Sequence, residues 1–180
     1  DGLDDWKVSE VHVDFSGTSF KLSNAEKSLQ LNTGLMGTHQ IGPLVAVVAI
    51  AQQLGLTDPQ IVAGVAKTIP YEHRMQPRQL AGAWIIDDTY NGNIEGMKAG
   101  LELLSVLPGK RKIYVTPGLV DQGTEAEAIH KQLGTLIAAA KPDKVVLMQN
   151  SATNFIQAGL SAGNYGGEVV IETNPLEYYT

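Results

Sequence analysis

The sequence contains no cysteine and is poor in aromatic and basic side chains. The absence of cysteine excludes disulfides, thiolate metal ligands and a cysteine nucleophile. Lysine and arginine number 13 against 19 aspartates and glutamates, and no basic stripe interleaved with aromatic residues is present. Binding to duplex or single-stranded nucleic acid therefore has little support. The composition agrees with a cytoplasmic protein and says little more about the compartment.

Long apolar segments are also missing. The longest apolar stretch, IGPLVAVVAIA, is shorter than the roughly 20 residues that a membrane-spanning helix needs. No secretory signal is visible, and the chain opens without an initiator methionine, so we expect an excerpt of something longer. The remaining composition, 43% hydrophobic and 18% charged, is typical of one globular domain or two small ones.

Three motifs of nucleotide and metal sites do not occur. Without G-x-x-x-x-G-K-[ST] the chain has no Walker A phosphate loop. Without G-x-G-x-x-G after a strand it lacks the dinucleotide fingerprint, and without H-E-x-x-H it lacks the zinc motif of metalloproteases. A catalytic zinc site is therefore not expected in this chain.

The first part of the sequence predicts strands followed by helices. VSEVHVDFSGTSFKL alternates in the manner of a β-hairpin with Gly17 in the turn, and KSLQLNTGL predicts a further short strand. GTHQIGPLVAVVAIAQQLGL predicts a buried helix, with Pro43 in its first turn and Gly55 just past its end. TDPQIVAGVAKT predicts another helix, with Asp58 as N-cap and Pro59 at the first helical position.

The second part predicts alternating strands and helices. Residues 69–82 hold two prolines and no apolar period, which is typical of a linker. A strand at Ala83–Asp87 leads to a helix near Ile94–Val106, and RKIYVTP, DKVVLMQ and EVVIET predict three more strands. The helix between the first two of these opens with Thr124-x-x-Glu127, a capping-box spacing. Short continuous apolar strands alternating with helices predict a Rossmann-like, open, mainly parallel α/β sheet.

The loop DDTYNGN follows the strand at Ala83–Asp87. Ligands of open α/β sheets bind beyond the carboxyl ends of the strands, so Asp88 could accept hydrogen bonds from ribose hydroxyls. Tyr90 and Asn91 offer phenol and amide groups. The alternative is a capping turn in which Asn93 is the helix N-cap, and local sequence alone favours it. The loop TPGLVDQG, with Asp121, has the same two interpretations.

Two further positions are candidates for ligand contacts. His39 and Gln40 come at the start of a buried helix, where exposed amides and the helix dipole favour polar ligands, although an isolated histidine there is more often a packing or capping residue. Arg74 comes in the predicted linker, where it could neutralise a phosphorylated ligand or be merely solvated.

In order, LMGTHQIGPLVAVVAIAQQLG, EHR, WIIDDTYNGNIEGMKAGLELL and KIYVTPGLVDQGTEAEAIHKQLG resemble the Mur ligase family, and most closely its members that add D-alanyl-D-alanine. The family implies ATP-dependent amide-bond formation in peptidoglycan precursor synthesis, with ATP and Mg²⁺ as cofactors and a cytoplasmic location. Its substrates are a UDP-MurNAc-peptide and an amino acid or dipeptide. The resemblance implies residues 1–68 as the tail of the central ATPase domain, 69–82 as a hinge, and 83–180 as most of a Rossmann-like C-terminal domain.

The resemblance also implies roles for six residues. His39 and Gln40 match positions near the adenine, and Arg74 matches an arginine that meets ATP. Asp88 matches the aspartate that holds the ribose, and Tyr90 and Asn91 fall in a loop that approaches the phosphates and the amine substrate.

The sequence departs from the family's pattern at three positions. Gln40 replaces the usual asparagine, Ile94 the usual proline and Asp121 the usual glutamate. Because the phosphate loop is missing, we expect the chain to be inactive alone. The alternatives are a related ligase of folylpolyglutamate or cyanophycin type, or a stand-alone, non-catalytic α/β module that binds a nucleotide or a protein.

Overall fold

The computed structural model describes residues 6–174. The chain divides into two compact units, Asp1–Asn91 and Gly92–Thr180. The division falls inside the DDTYNGN motif. No helix among the described residues is both long and apolar enough to cross a membrane. The assignment of 1–68, 69–82 and 83–180 to domains of a larger ligase stays a prediction.

The first unit begins with a three-stranded antiparallel sheet. Its strands are β1 (Lys7–Asp14), β2 (Gly17–Ser23) and β3 (Ser28–Thr33), paired in the order β1-β2-β3. Gly17, at the turn, has φ of +134° and lies so close to the backbone of Thr33 that a Cβ could not fit. The predicted hairpin and the short strand that follows are both confirmed.

Two helices follow the sheet, and both contribute to its core. They are α1 (Ile41–Gln53), after a 3₁₀ turn at Thr38–Gln40, and α2 (Asp58–Val65). Asp58 was wrongly predicted as the N-cap of α2, because Thr57 takes that position and Gln60 Oε1 accepts its amide at 2.8 Å. Alternate residues of β2 and β3 pack against one face of each helix. This core comprises Phe20, Leu22, Leu29, Leu31, Ile41, Leu44, Val48, Ile61 and Val65.

A second hairpin completes the first unit. Strands β4 (Gln76–Leu80) and β5 (Ala83–Asp87) pair antiparallel around a two-residue turn, so the predicted linker contains a strand. The prediction that β5 belongs to the parallel sheet is wrong, because among the described residues its only strand partner is β4. The ring of Trp84 stacks on Phe15 at 4.5 Å between centroids and 6° between planes.

The second unit is an α/β sheet with parallel strands. Its elements are α3 (Ile94–Val106), β6 (Ile113–Thr116), α4 (Ala126–Ala140), β7 (Lys144–Met148), α5 (Thr153–Ala162) and β8 (Glu168–Glu172). The strands pair in the order β6-β7-β8, each parallel to the next. This confirms the predicted Rossmann-like, mainly parallel fold class. Asn93 caps α3 as predicted, with its Oδ1 accepting the amide of Gly96 at 2.8 Å.

Glycines allow the helices on this sheet to touch. A Cβ on Gly134 of α4 would lie 2.2 Å from the carbonyl oxygen of Ile156, and one on Gly159 of α5 would lie 2.0 Å from that of Lys131. The two helix backbones therefore meet directly over the buried strand β7. The capping box predicted at Thr124 and Glu127 does not form, because Thr124 lies in a 3₁₀ turn and Glu127 instead pairs with Lys131.

Candidate functional site

The carboxylate of Asp87 joins the two ends of the β4–β5 hairpin. Its Oδ2 lies 2.9 Å from Nδ1 of His73 and 3.2 Å from Nη1 of Arg78, and its Oδ1 accepts the hydroxyl of Thr89 at 2.8 Å. The side chain is only 11% exposed. Burial raises the pKa of this carboxyl, but the hydrogen bonds from Thr89 and His73 and the charge of His73 lower it more, so the pKa lies below the usual value of an aspartate. Asp87 is therefore an ionised anchor at neutral pH.

The segment around Arg74 is bonded to the first half of the DDTYNGN motif. The amide of Met75 donates to Oδ1 of Asp88 at 3.1 Å, and the amide of Tyr90 donates to the carbonyl of His73 at 3.2 Å. His73 and Met75 both have positive φ, +59° and +45°. Such conformations are costly for residues other than glycine and persist where the surroundings hold them. These contacts place the segment around Arg74 next to Asp88, although the two residues are far apart in the sequence.

Arg74 lies above the motif and makes two contacts with it. Its Nη1 donates to the carbonyl oxygen of Asn91 at 2.8 Å, and its guanidinium carbon is 4.6 Å from the centre of the Tyr90 ring. The edge of Tyr71 meets the same ring, with 6.3 Å between centroids. All four side chains are exposed, so the cation–π contact stabilises the arrangement by only about 0.5–1 kcal/mol. The result is a cationic and aromatic surface facing solvent.

Four of the six predicted site residues therefore come together. Arg74, Asp88, Tyr90 and Asn91 form one cluster, which we call the motif cluster. His39 and Gln40 form a pair at the start of α1, where the Gln40 amide donates to Nε2 of the His39 ring at 2.9 Å.

The His39 ring also lies against Gly37, whose φ is +100° and where a Cβ would lie 2.7 Å from the ring. His39 is exposed and Gln40 half-buried.

The sequence interpretation missed Asp87 and His73. The signal was present, because adjacent residues at the end of a strand point to opposite sides. The side chains of two consecutive aspartates at such a place are therefore expected on opposite sides. Here Asp87 forms its hydrogen bonds around the open end of the hairpin. Asp88 accepts the amide of Met75 with Oδ1, and its Oδ2 takes no part in that bond.

The loop after β6 is the second candidate ligand edge. The amide of Gly118 donates to Oγ1 of Thr116 at 3.0 Å, and Nδ2 of Asn150 donates to the carbonyl of Pro117 at 2.6 Å. Asp121 is exposed and has φ of +58°. The loop is thus tied to the carboxyl ends of both β6 and β7, where ligands of open α/β sheets bind.

Comparison with known proteins identifies the family. The profile described as "Mur ligase, glutamate ligase domain" matches residues 73–177, which is more than half of the chain and includes the whole motif cluster. The chain belongs to the Mur ligase family. The UDP-N-acetylmuramoyl-tripeptide–D-alanyl-D-alanine ligase of Escherichia coli is 34% identical over 143 residues, and the ligase of the same name from Synechocystis is 29% identical over 151 residues.

These alignments cover 79% and 83% of this chain, but only 31% and 32% of the relatives. The chain therefore spans about a third of the length of the curated relatives it matches.

Solved structures share the fold. A structure of MurF from Acinetobacter baumannii aligns over 97% of the chain and 38% of its own length, with a TM-score of 0.80 and 24% identity. A structure of the MurF ligase of Thermotoga maritima in complex with ADP aligns over 93% of the chain and 42% of its own length, with a TM-score of 0.70 and 20% identity. At these identities the likeness shows the fold alone.

Proposed function

We propose that this chain is part of an ATP-dependent, ADP-forming ligase that joins D-alanyl-D-alanine, or a single amino acid, to a UDP-MurNAc-peptide. This reaction belongs to cytoplasmic peptidoglycan precursor synthesis. The observation that carries the proposal is the motif cluster, in which Arg74, Asp88 and Tyr90 are assembled inside the region that matches the family. The names of the similar proteins from Escherichia coli and Synechocystis support D-alanyl-D-alanine as the added group.

The chemistry of the motif cluster suits a nucleotide. A carboxylate oxygen of Asp88 accepts hydrogen bonds from ribose hydroxyls, as acidic residues do in other nucleotide sites. The guanidinium of Arg74 carries a permanent charge and donors that match phosphate oxygens. Both contacts that now hold Arg74 are exposed to solvent, so its guanidinium can exchange them for a phosphate. His39 and Gln40 are proposed to contact the adenine.

The reaction proceeds through an acyl phosphate. The carboxylate of the UDP-linked peptide attacks the γ-phosphorus of ATP, the bond to the β–γ bridging oxygen breaks, and ADP leaves. The amine of the incoming dipeptide then attacks the acyl carbon, an amide forms, and inorganic phosphate leaves with the proton balance closed by solvent. Catalysis of this kind depends on positioning and on neutralising phosphoryl charge. Arg74 supplies one such charge, and residues 69–82 are the proposed hinge.

Mg²⁺ would neutralise the phosphates of the bound ATP. Within residues 6–174, however, no group of three or more histidine, aspartate or glutamate side chains is placed to hold a metal ion. The described residues alone therefore do not form a site that fits Mg²⁺. We therefore derive no step of the reaction through Mg²⁺ in this chain.

A titration with ADP, followed by NMR of the isolated chain, tests the proposal. We expect weak binding, because the chain lacks a phosphate loop, with shifts confined to the amides of Arg74 and Asp88–Asn91 and to the start of α1. The variant Asp88→Asn should lose the shifts, whereas Glu102→Gln on the exposed face of α3 should keep them. We also expect no ATP hydrolysis.

Two results would contradict the proposal. One is shifts that map only to other surfaces of the chain, and the other is measurable ATP turnover by the isolated chain. The second result would favour an independent enzyme.

A further inference from the structure

His130 of α4 is a buried histidine with both ring nitrogens hydrogen-bonded. The residue is 2% exposed. Its Nε2 accepts the backbone amide of Leu119 at 2.9 Å, and its Nδ1 lies 2.6 Å from the carbonyl oxygen of Ala126. Because Nε2 accepts, the ring hydrogen is on Nδ1 and is donated to Ala126. The ring is therefore held in one orientation, with Nε2 bonded to the loop that follows β6.

That loop, Pro117–Gln122, is held at two other points and is shaped around the histidine. Asn150 donates to the carbonyl of Pro117, and Thr116 accepts the amide of Gly118. Gly118 has φ of +82°, and a Cβ there would lie 2.8 Å from the ring of His130. The contact between the ring and the loop backbone therefore requires glycine at this position.

The residue bonded to His130 also contacts the DDTYNGN motif. Leu119 is 9% exposed, and a Cβ on Gly92 would lie 2.9 Å from its Cδ2 atom. Gly92 follows Asn91 directly, the residue whose carbonyl accepts Arg74. A continuous set of contacts thus runs from the ring of His130 through Leu119 to the second half of the motif. A histidine that merely filled the core would have no need of an acceptor directed at this loop.

We infer that His130 is a positioning residue that holds Leu119 against Gly92 and so fixes the second half of the DDTYNGN motif. Asn150 supports the same loop at Pro117. The inference rests on the proposed function only in treating the motif as the part of the chain that faces the nucleotide. The contacts themselves involve no ligand.

NMR of the whole chain tests this inference. In His130→Leu, which retains an apolar side chain but loses the acceptor, we expect hydrogen exchange at the Leu119 amide to rise about tenfold. The cross-relaxation signal between the Leu119 methyls and Gly92 should weaken. In His130→Gln, whose Oε1 can accept from Leu119, most of both signals should return. Glu127→Gln, on the exposed face of the same helix, should change neither.

The inference is overturned if exchange rises uniformly over α4 and α5 in His130→Leu and is not restored in His130→Gln, because that pattern describes a core-filling residue. Unchanged Leu119 exchange in His130→Leu would also overturn it. If His130→Leu does not fold, Gly118→Ala decides, because its Cβ would lie 2.8 Å from the ring of His130 and push the loop away from it. Unchanged exchange at the Leu119 amide in that variant would contradict the inference. No ligand or turnover is measured, so this outcome is separate from the ADP titration.

Discussion

Replacing Gly134 with alanine should destabilise the second unit strongly. The added Cβ would lie 2.2 Å from the carbonyl oxygen of Ile156 and 2.7 Å from the amide nitrogen of Leu160. Both atoms belong to the backbone of α5, so no side chain can rotate away, and the two helices must separate by about 1 Å to restore ordinary contact distances. Overpacking of this kind costs about 3 kcal/mol at the upper end of its range.

Alanine also has a higher helix propensity than glycine, which offsets about 1 kcal/mol of this cost. The net loss in the free energy of unfolding is then about 2 kcal/mol, or a fall in Tm of about 8–16 °C for a unit of this size. Denaturation in urea and by heat, followed by circular dichroism, measures both quantities.

Gly96→Ala is the matched control for Gly134→Ala. It makes the same chemical change in a helix of the same unit, and there the nearest atom to the new Cβ is Oδ1 of Asn93 at 3.5 Å, an ordinary contact. This variant should be as stable as the original chain or slightly more stable. If the free energy of unfolding of Gly134→Ala lies within about 0.5 kcal/mol of that of the control, α4 and α5 do not meet backbone to backbone and the reasoning is refuted.

Three further predictions concern the first unit. Asp87→Asn should destabilise the chain at neutral pH and have less effect at low pH. The pKa of Asp87 is lowered in the folded chain, so its carboxylate stabilises the fold at neutral pH, and this contribution is lost as the pH falls through the folded pKa. A pH series of urea denaturations checks the sign. Phe15→Leu should expose Trp84 and shift its fluorescence to the red, read against a Trp6→Phe background that removes the other tryptophan. Arg74→Gln should abolish the ADP-induced shifts while lowering the Tm by only about 2–8 °C, because loss of the exposed cation–π contact costs about 0.5–1 kcal/mol.

Helices were predicted well from the sequence because their boundaries have local chemical causes. Pro43 and Gly55 bracket α1 at the first turn and just past the end, and Asn93 caps α3. Errors of one residue arose where several side chains could serve as the cap. At α2, Thr57 and Asp58 are both good capping residues, and the glutamine at position 60 favours Thr57 by bonding to its amide and hydroxyl.

The partner of β5 could not be predicted from the sequence. An apolar run such as AWIID is compatible with a parallel or an antiparallel neighbour, and only the turn before it distinguishes them. That turn is Ala81-Gly82, with φ of +48° and +81°, the positive values of a type I′ hairpin turn. Asparagine usually takes the first position of this turn, so alanine gave no hairpin signal. Pro77 in β4 further weakened the prediction of a strand, although proline is acceptable on the edge of a two-stranded sheet.

The candidate residues were proposed from the sequence, but their spatial arrangement was not. Arg74 and Asp88 are 14 positions apart, and sequence spacing gives no reason for them to meet. The hairpin provides that reason: pairing Gln76 with Asp87 brings the residues just outside it, 73–75 and 88–90, side by side. The carboxylate of Asp87 then joins the two strands at the open end of the hairpin by bonding to His73 and Arg78. The two aspartates of the motif therefore have different partners, because Asp87 bonds across the open end of the antiparallel β4–β5 pair whereas Asp88 accepts the amide of Met75.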